Sequence, residues 1–416
     1  MKHAEPAPEP APEPGFSGLV AAAIALLFLA VRIAYLYARQ PFFDELYTQW
    51  MAGEPLSSIV LHLLRDSGPP LYYFLARFPS LIALRWESLL FAAIAFVLVL
   101  RKFPLAAALL AVYPAAALYA TEGRAYSLCA MFVAVGVLLF DEERPFAAMF
   151  AFVLAAYSHY YGVLFFPLLL VKEWRAFAAA VVLFVPGFIL ALHQPPEAMA
   201  WNVVHPLWIL GASLAIGALP ARTWRFAPAV LIPAALVVAF ALAGRNVYFP
   251  ERFESVLAAP LALWTAASLQ RWRPSMRAAI VTLLMIAGVA LIAIGIADER
   301  RQPPDPRLRA MRFAAGAPAV VASDYCYLVA RTELGPRVRA FPPAQAEHPG
   351  WYRPPSQEAA LAAARSLPAS GFAFVGDAFT PELAAVRQVR RVQLRFRDGP
   401  VVVLWVAPRD LTSTVH

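Results

Sequence analysis

The sequence predicts an all-α, polytopic membrane domain, with about eleven transmembrane helices plus interfacial helices, and a small C-terminal α/β soluble domain. Three observations carry this expectation. Hydrophobic residues make up 61% of the 416-residue chain, charged residues only 15%, and the mean hydropathy is +0.61. Apolar runs recur almost from end to end, as expected of a chain whose main solvent is lipid. From Asp298 onward the composition turns Arg- and Pro-rich with mixed patterning, which fits a soluble fold.

Residues 1–17 are a Pro/Glu/Ala tract that cannot build a core and read as a disordered cytosolic tail. Residues 18–297 form the membrane domain and 298–416 an extracytoplasmic α/β domain. The run from Gly18 to Tyr37 follows only two basic residues, Lys2 and His3, and no small-x-small cleavage motif precedes Asp44. It is expected to be a retained first span. Further apolar segments cover roughly 84–100, 103–119, 125–140, 146–157, 161–172, 175–192, 206–220, 226–243, 254–269 and 278–296.

With a cytosolic amino terminus, alternate connections carry Arg101-Lys102, Arg144, Lys172 with Arg175, Arg222 with Arg225, and Arg271, Arg273 and Arg277. All fall inside, which is the positive-inside pattern. The opposite connections then lie outside: Asp44-Glu45, Glu122 to Arg124, Ser158-His159, His193 to His205, Gly244 to Arg252, and the whole C-terminal domain. This assignment makes Leu46 to Leu64 a mildly amphipathic interfacial segment and Pro69 to Ile82 a helix along the membrane surface. It also requires two short helices joined at Ser158-His159-Tyr160, because one long tilted helix there would flip the C-terminal domain to the cytosol.

In the C-terminal domain, strands are expected at Ala319 to Ala322, Arg337 to Phe341 and Phe372 to Val375. Ser356 caps a helix to Ser366, Thr380-Pro381-Glu382 opens another, and Val389 to Phe396 with Val401 to Val406 flank Arg397-Asp398-Gly399-Pro400 as a hairpin. No glycine-rich phosphate loop or nucleophile elbow occurs there, so the domain reads as a lid or acceptor-binding cap. Residues 300–416 hold 16 Arg against 9 Asp plus Glu, nearly all of the chain's net +8. That excess fits contact with anionic headgroups, and equally a coding bias toward Arg. Cys129 in an apolar run and Cys326 in the soluble part are not expected to meet.

Candidate site residues cluster in the outer connections. Asp44 and Glu45 sit in Pro41-Phe42-Phe43-Asp44-Glu45-Leu46-Tyr47, a carboxylate pair among aromatics just beyond the first span. Arg65-Asp66-Ser67-Gly68-Pro69-Pro70-Leu71-Tyr72-Tyr73 follows, then the polar knot Thr121-Glu122-Gly123-Arg124-Ala125-Tyr126-Ser127-Leu128. Ser158-His159-Tyr160-Tyr161-Gly162 and Tyr248-Phe249-Pro250-Glu251-Arg252 complete the set.

In this order the five motifs resemble GT-C superfamily membrane glycosyltransferases. They are nearest the protein O-mannosyltransferase and lipid A aminoarabinose transferase type, glycosyltransferase family 39-like. The resemblance covers most of residues 19–297. It implies an enzyme of a bacterial inner membrane, a hexosyl- or pentosyltransferase. Its polyprenyl-phosphate-linked sugar donor would pass the sugar, with inversion, to an acceptor hydroxyl on lipid, glycan or protein. Asp44 matches the family's catalytic carboxylate and Glu122 its acidic position in the second outer loop. Arg124, Tyr126, His159 and Arg252 match common positions, as does Arg32 near the outer end of span one. Members often carry His before Pro-Pro where this chain has Gly68, and Glu254 has no mapped counterpart.

The residue types suit that chemistry independently. A carboxylate within hydrogen-bond reach of an acceptor hydroxyl accepts its proton as the new bond forms, and Asp44 is the choice, with Glu45 and Glu122 as supporting acids. Arg252, Arg124 and Arg65 would hold the departing phosphate. Asp66, Tyr72, Tyr126, His159 and Tyr248 would contact substrate. A divalent metal is a further option through Asp44, Glu122 and His159, although no spacing demands one. The rival class is a transporter or flippase for a lipid-linked or small anionic substrate, which would place charges at mid-span and show repeated halves. In this sequence the polar groups cluster at one rim and the halves show no repeat.

Overall fold

The structure, a computed structural model, describes residues 18–78, 80–195, 207–218, 221–245, 247–347, 352 and 354–409. The tail expected to be disordered at 1–17 therefore lies outside the described residues, as do most of the connection His193 to His205 and Asn246.

The first helix, α1 (Gly18–Ala38), matches the expected span. The interfacial segment then forms α2 (Phe43–Gly53) and α3 (Leu56–Leu63), broken at Glu54-Pro55 because Pro55 disfavours helix in the residue before it. The surface helix expected at 69–82 is shorter: only α4 (Leu71–Leu75) is helical. Pro79 pulls Phe78 out of helical geometry, and Ser80 starts the next helix by accepting the Ala83 N–H at 3.3 Å.

That helix, α5 (Leu81–Lys102), is followed by α6 (Pro104–Ala111) and α7 (Pro114–Tyr119), where one span at 103–119 was expected. Pro114 begins α7 and ends the ladder of α6. Arg32 of α1 donates to the carbonyls of Ala111 and Leu110, at 2.8 and 3.2 Å, and the latter also accepts the Tyr113 N–H at 3.3 Å. Next come α8 (Tyr126–Asp141) and α9 (Pro145–Ser158), then a 3-10 helix at Tyr160–Val171. His159 between them is extended (φ −153°, ψ 140°), and a Cβ on Gly162 would lie 2.2 Å from the Ala156 nitrogen. The two short helices are thus folded against each other, as the charge rule required.

The membrane region continues with α10 (Trp174–His193), α11 (Trp208–Ala218), α12 (Ala227–Leu242), α13 (Arg252–Leu269) and α14 (Pro274–Arg301). Among the described residues, four helices, beginning at Gly18, Leu81, Trp174 and Pro274, are long and apolar enough to cross a membrane, and several shorter apolar helices accompany them. At the centre α13 packs on α6, α7, α8, α11 and α12, with 16 of its 18 residues buried. The outermost helix, α14, buries only Gly288 and Ile292.

The C-terminal part is α15 (Pro306–Ala314), β1 (Val320–Ala322), α16 (Cys326–Leu334), β2 (Val338–Ala340), α17 (Gln357–Arg365), β3 (Phe372–Asp377), α18 (Pro381–Val389), β4 (Val392–Asp398) and β5 (Val401–Val406). The sheet order is β2-β1-β3-β5-β4. β1 runs parallel to β2 and β3, while β5 is antiparallel to β3 and β4. Strand side chains alternate between faces: Phe372, Phe374, Val402 and Leu404 pack with α17 and α18, whereas Ala373, Val375, Val401 and Val403 join the core shared with α15 and α16. The α15–α16 layer faces the membrane helices, and α16 touches α2.

Candidate active site

The site forms where α2 begins. Phe42 precedes it in extended geometry, so Phe43, Asp44 and Glu45 occupy its first turn, where carboxylates are favoured by the exposed N–H groups. Neighbours on a helix point in different directions, and the two acids part accordingly.

Glu45 turns inward and is fully buried. It accepts two hydrogen bonds from Arg85 of α5 (Nε at 2.9 Å, a terminal nitrogen at 2.6 Å), one from the Gly123 N–H at 2.9 Å and one from the Phe42 N–H at 3.1 Å. Arg85 in turn donates to the carbonyls of Leu36, Arg39 and Gln40, which ties the end of α1 to α2, α5 and the 120–125 loop. Burial alone would raise the Glu45 carboxyl, but the bonds and charge of Arg85, with Arg39, outweigh it and hold Glu45 below the usual carboxylate range.

Asp44 faces outward, its side chain 32% exposed. Its Oδ2 lies 3.7 Å from the Arg124 guanidinium and 3.9 Å from that of Arg252. Arg124 also donates to the Asp44 carbonyl and the Tyr73 hydroxyl, each at 3.3 Å. Arg252 opens α13 after Glu251, whose left-handed conformation (φ 66°) turns the chain, and its guanidinium rests over the rings of Phe249 and Tyr126 at 5.1 and 5.6 Å. Among the described residues Arg252 has no carboxylate of its own within 4 Å, since it shares Asp44 with Arg124.

Glu122 is almost completely buried and paired to Arg39 at 2.9 Å. Burial raises its carboxyl against the attraction of Arg39, and the nearby Glu45 charge adds to the rise. His159 lies against Tyr126 (4.9 Å between ring centroids) and Tyr161 (4.5 Å). Its Nδ1 accepts the Tyr161 N–H at 3.2 Å, so the neutral ring carries its hydrogen on Nε2. Burial, with the charges of Arg124 and Arg252, pushes the imidazole down to about 3. Asp66 hydrogen-bonds the Tyr47 hydroxyl, and burial raises its carboxyl to about 6 against the opposing charge of Arg124.

Asp44, Arg124, Arg252, Tyr126, His159 and Asp66 are therefore gathered around one point. The other expected residues are engaged elsewhere. Arg65 pairs with Glu347 of the C-terminal domain at 3.2 Å, both side chains well exposed. Tyr72 is buried against Ser88 (3.4 Å), so the aromatic hydroxyl that meets Arg124 belongs to its neighbour Tyr73. Tyr248 is buried and donates to Glu254 at 2.5 Å, which gives Glu254 its partner.

The proposed metal ligands do not assemble. Among the described residues no three His, Cys, Asp or Glu side chains come together, Glu122 is committed to Arg39, and the His159 Nδ1 is occupied. Four important residues were missed in the sequence: Arg39, Arg85, Tyr73 and Gln194. Gln194 accepts from the Gly68 N–H and the Tyr160 hydroxyl and donates to the carbonyls of Leu63 and Gly68, fixing the segment where His was expected. Arg85 had a readable signal, a charge inside an apolar helical run.

Behind Tyr126 a mainly apolar cavity of about 40 Å³ extends between α1, α5, α8 and α13, lined by Phe28, Arg32, Ala95, Met131 and Ala258.

Two solved structures resemble the chain. ArnT from Cupriavidus metallidurans in the apo state superposes with a TM-score of 0.55 at 14% identity, over 92% of this chain and 98% of that one. The same protein bound to undecaprenyl phosphate gives a TM-score of 0.51 at 14% identity, over 93% and 97%. No family model and no curated protein matches the sequence. Over almost its whole length, membrane helices and C-terminal sheet together, the chain thus shares the fold of these ArnT structures.

Proposed function

We propose that this chain transfers a sugar from a polyprenyl-phosphate-linked donor to an acceptor hydroxyl on the extracytoplasmic face of a membrane, inverting the anomeric centre, with Asp44 as general base. The observation that carries this reading is the sharing of one partly exposed carboxylate by two guanidinium groups. Asp44 stands as the shared counter-ion of Arg124 and Arg252. A donor phosphate competes for the same two cations with charge-assisted and bidentate hydrogen bonds, which releases the Asp44 carboxylate toward the acceptor. The fold shared with ArnT, seen also in that protein's undecaprenyl phosphate complex, supports a lipid-phosphate donor.

The acceptor oxygen attacks the anomeric carbon from the face opposite the phosphate. As that bond forms, the hydroxyl proton passes to an Asp44 carboxylate oxygen, and the carbon–oxygen bond to phosphate breaks with its electron pair retained by polyprenyl phosphate. Arg124 and Arg252 stabilise the negative charge on the leaving group, in a site whose walls limit water. His159, neutral and bearing hydrogen on Nε2, supplies a donor without added charge. Glu45 and Glu122 hold the loops in place through Arg85 and Arg39. No step requires a metal.

The test is Asp44→Asn, assayed with purified protein, a polyprenyl-phosphate sugar and extracted membrane acceptors. Loss of a positioned base should slow transfer by ~10²–10⁴-fold. Transfer at the wild-type rate would refute Asp44 as the base. Transport gains no geometric support: Arg32, a cation buried within a span, is engaged by helix-end carbonyls.

A further inference from the structure

The C-terminal domain contains a polar cavity of about 120 Å³, which is several times the ~10–15 Å³ that one water needs. It lies at the carboxyl ends of β1 and β3. These strands are adjacent and parallel, yet the chain leaves β1 toward β2 on one side and reaches β3 on the other. Strand order therefore reverses at this point, which in open α/β sheets leaves a crevice suited to a ligand.

The walls are Arg307, Asp324, Tyr325, Tyr352, Asp377 and Thr380. Asp324 has a left-handed backbone (φ 48°) and is fixed by the N–H groups of Cys326 and Asp377, each at 2.8 Å. The rings of Tyr325 and Tyr352 meet at 65° with centroids 6.1 Å apart, forming an aromatic corner. Tyr352 is held in place by the completely buried Glu382, whose Oε2 accepts the Tyr352 hydroxyl at 2.8 Å.

Several ligand classes fit poorly. Asp324, Asp377 and Glu382 oppose a phosphate, and Arg307 is already turned to Asp305 at 3.3 Å. The described residues contain no three-ligand metal set. An apolar group would desolvate the carboxylates without compensation. Carboxylate acceptors beside aromatic faces suit a ring with many hydroxyls, whose C–H faces pack on tyrosine while its O–H groups donate to aspartate. The location also matters. Tyr325 contacts Phe43 edge-on at 4.9 Å, and Phe43 immediately precedes Asp44.

We infer that this crevice is an acceptor subsite that binds a sugar ring adjoining the hydroxyl to be glycosylated, which makes the acceptor a glycan or glycolipid. The inference rests on the proposed transferase reading, and its test is separable from it. Full-length protein in phosphatidylcholine nanodiscs, free of glycosidic detergent, would be titrated with millimolar methyl glucoside, methyl galactoside and methyl 2-amino-2-deoxyglucoside by saturation-transfer NMR. Wild type and Asp44→Asn should both saturate at least one glycoside. Thr380→Trp, which fills the crevice, should abolish the signal, and Asp377→Asn should weaken binding by about tenfold.

Retained melting temperatures in both variants would show that binding, not folding, was lost. Absence of any signal with wild type, or undiminished signal in folded Thr380→Trp, overturns the subsite. If glycosides bind as expected but Asp44→Asn still transfers sugar at the wild-type rate, the transferase mechanism fails while a sugar-binding crevice stands.

Discussion

At the level of single residues, adjacent acids have divided their work by helix geometry. Glu45 is sealed within four hydrogen bonds, and Asp44 remains partly exposed between two arginines. Removing Arg85 leaves a buried carboxylate without its counter-charge, so Arg85→Ala should cost about 3–5 kcal/mol and lower the denaturation midpoint. Asp44→Asn should leave that midpoint nearly unchanged while transfer falls, and the pair of measurements separates scaffold from chemistry. Asp66 makes a pH prediction. Its carboxyl is raised from 3.8 to about 6 in the folded protein, mainly by burial. Between these values the native state holds more protons than the unfolded chain, so stability falls as pH rises through that window and stays lower above it. Asp66→Asn should flatten this slope in denaturation curves recorded from pH 4 to pH 6. An unchanged slope would assign the dependence to other carboxyls.

Among the elements, the turn from α9 into the 3-10 helix positions His159. It depends on Gly162, where a Cβ would meet the Ala155–Ala156 backbone at 2.2–2.4 Å. Backbone cannot yield as a flexible side chain can, so Gly162→Ala should destabilise the protein by roughly 1–3 kcal/mol and lower transfer with it. Gly316→Ala is the control, because its Cβ would meet nothing within 4 Å. A Gly162→Ala protein with wild-type melting and activity would remove this turn from the argument. At the broken span Val112-Tyr113, Pro114 cannot continue the ladder of α6, and Arg32 donates to the Ala111 carbonyl at its end.

For the whole molecule, the charge rule and the fold bear on one another. We propose that the C-terminal domain lies on the outer face, beside Asp44 and Arg252, as the arginines and lysines at alternate connections predict. The packing of α16 on α2 and the Arg65–Glu347 pair bring that domain over the same face of the membrane helices. A reporter fused after His416 should therefore signal from the extracytoplasmic side in intact cells. A cytosolic signal would invert the topology and remove the extracytoplasmic site.

Much of this protein was legible in its sequence. Hydropathy located the helices because each must present apolar surface to lipid or to its neighbours, and short runs of branched and apolar residues bounded by turn signals located the sheet. The site loops were visible as polar knots between apolar runs, since ionisable groups at such places are expensive unless solvated, paired or used. Partner choice was not legible. That Glu45 belongs to Arg85, Glu122 to Arg39, Tyr73 to Arg124 and Asp44 to two arginines at once depends on contacts between elements far apart in the chain. Local pattern states which face a residue occupies; only the packed helices decide which charge it meets there, because Coulomb and hydrogen-bond energies are set by ångström distances.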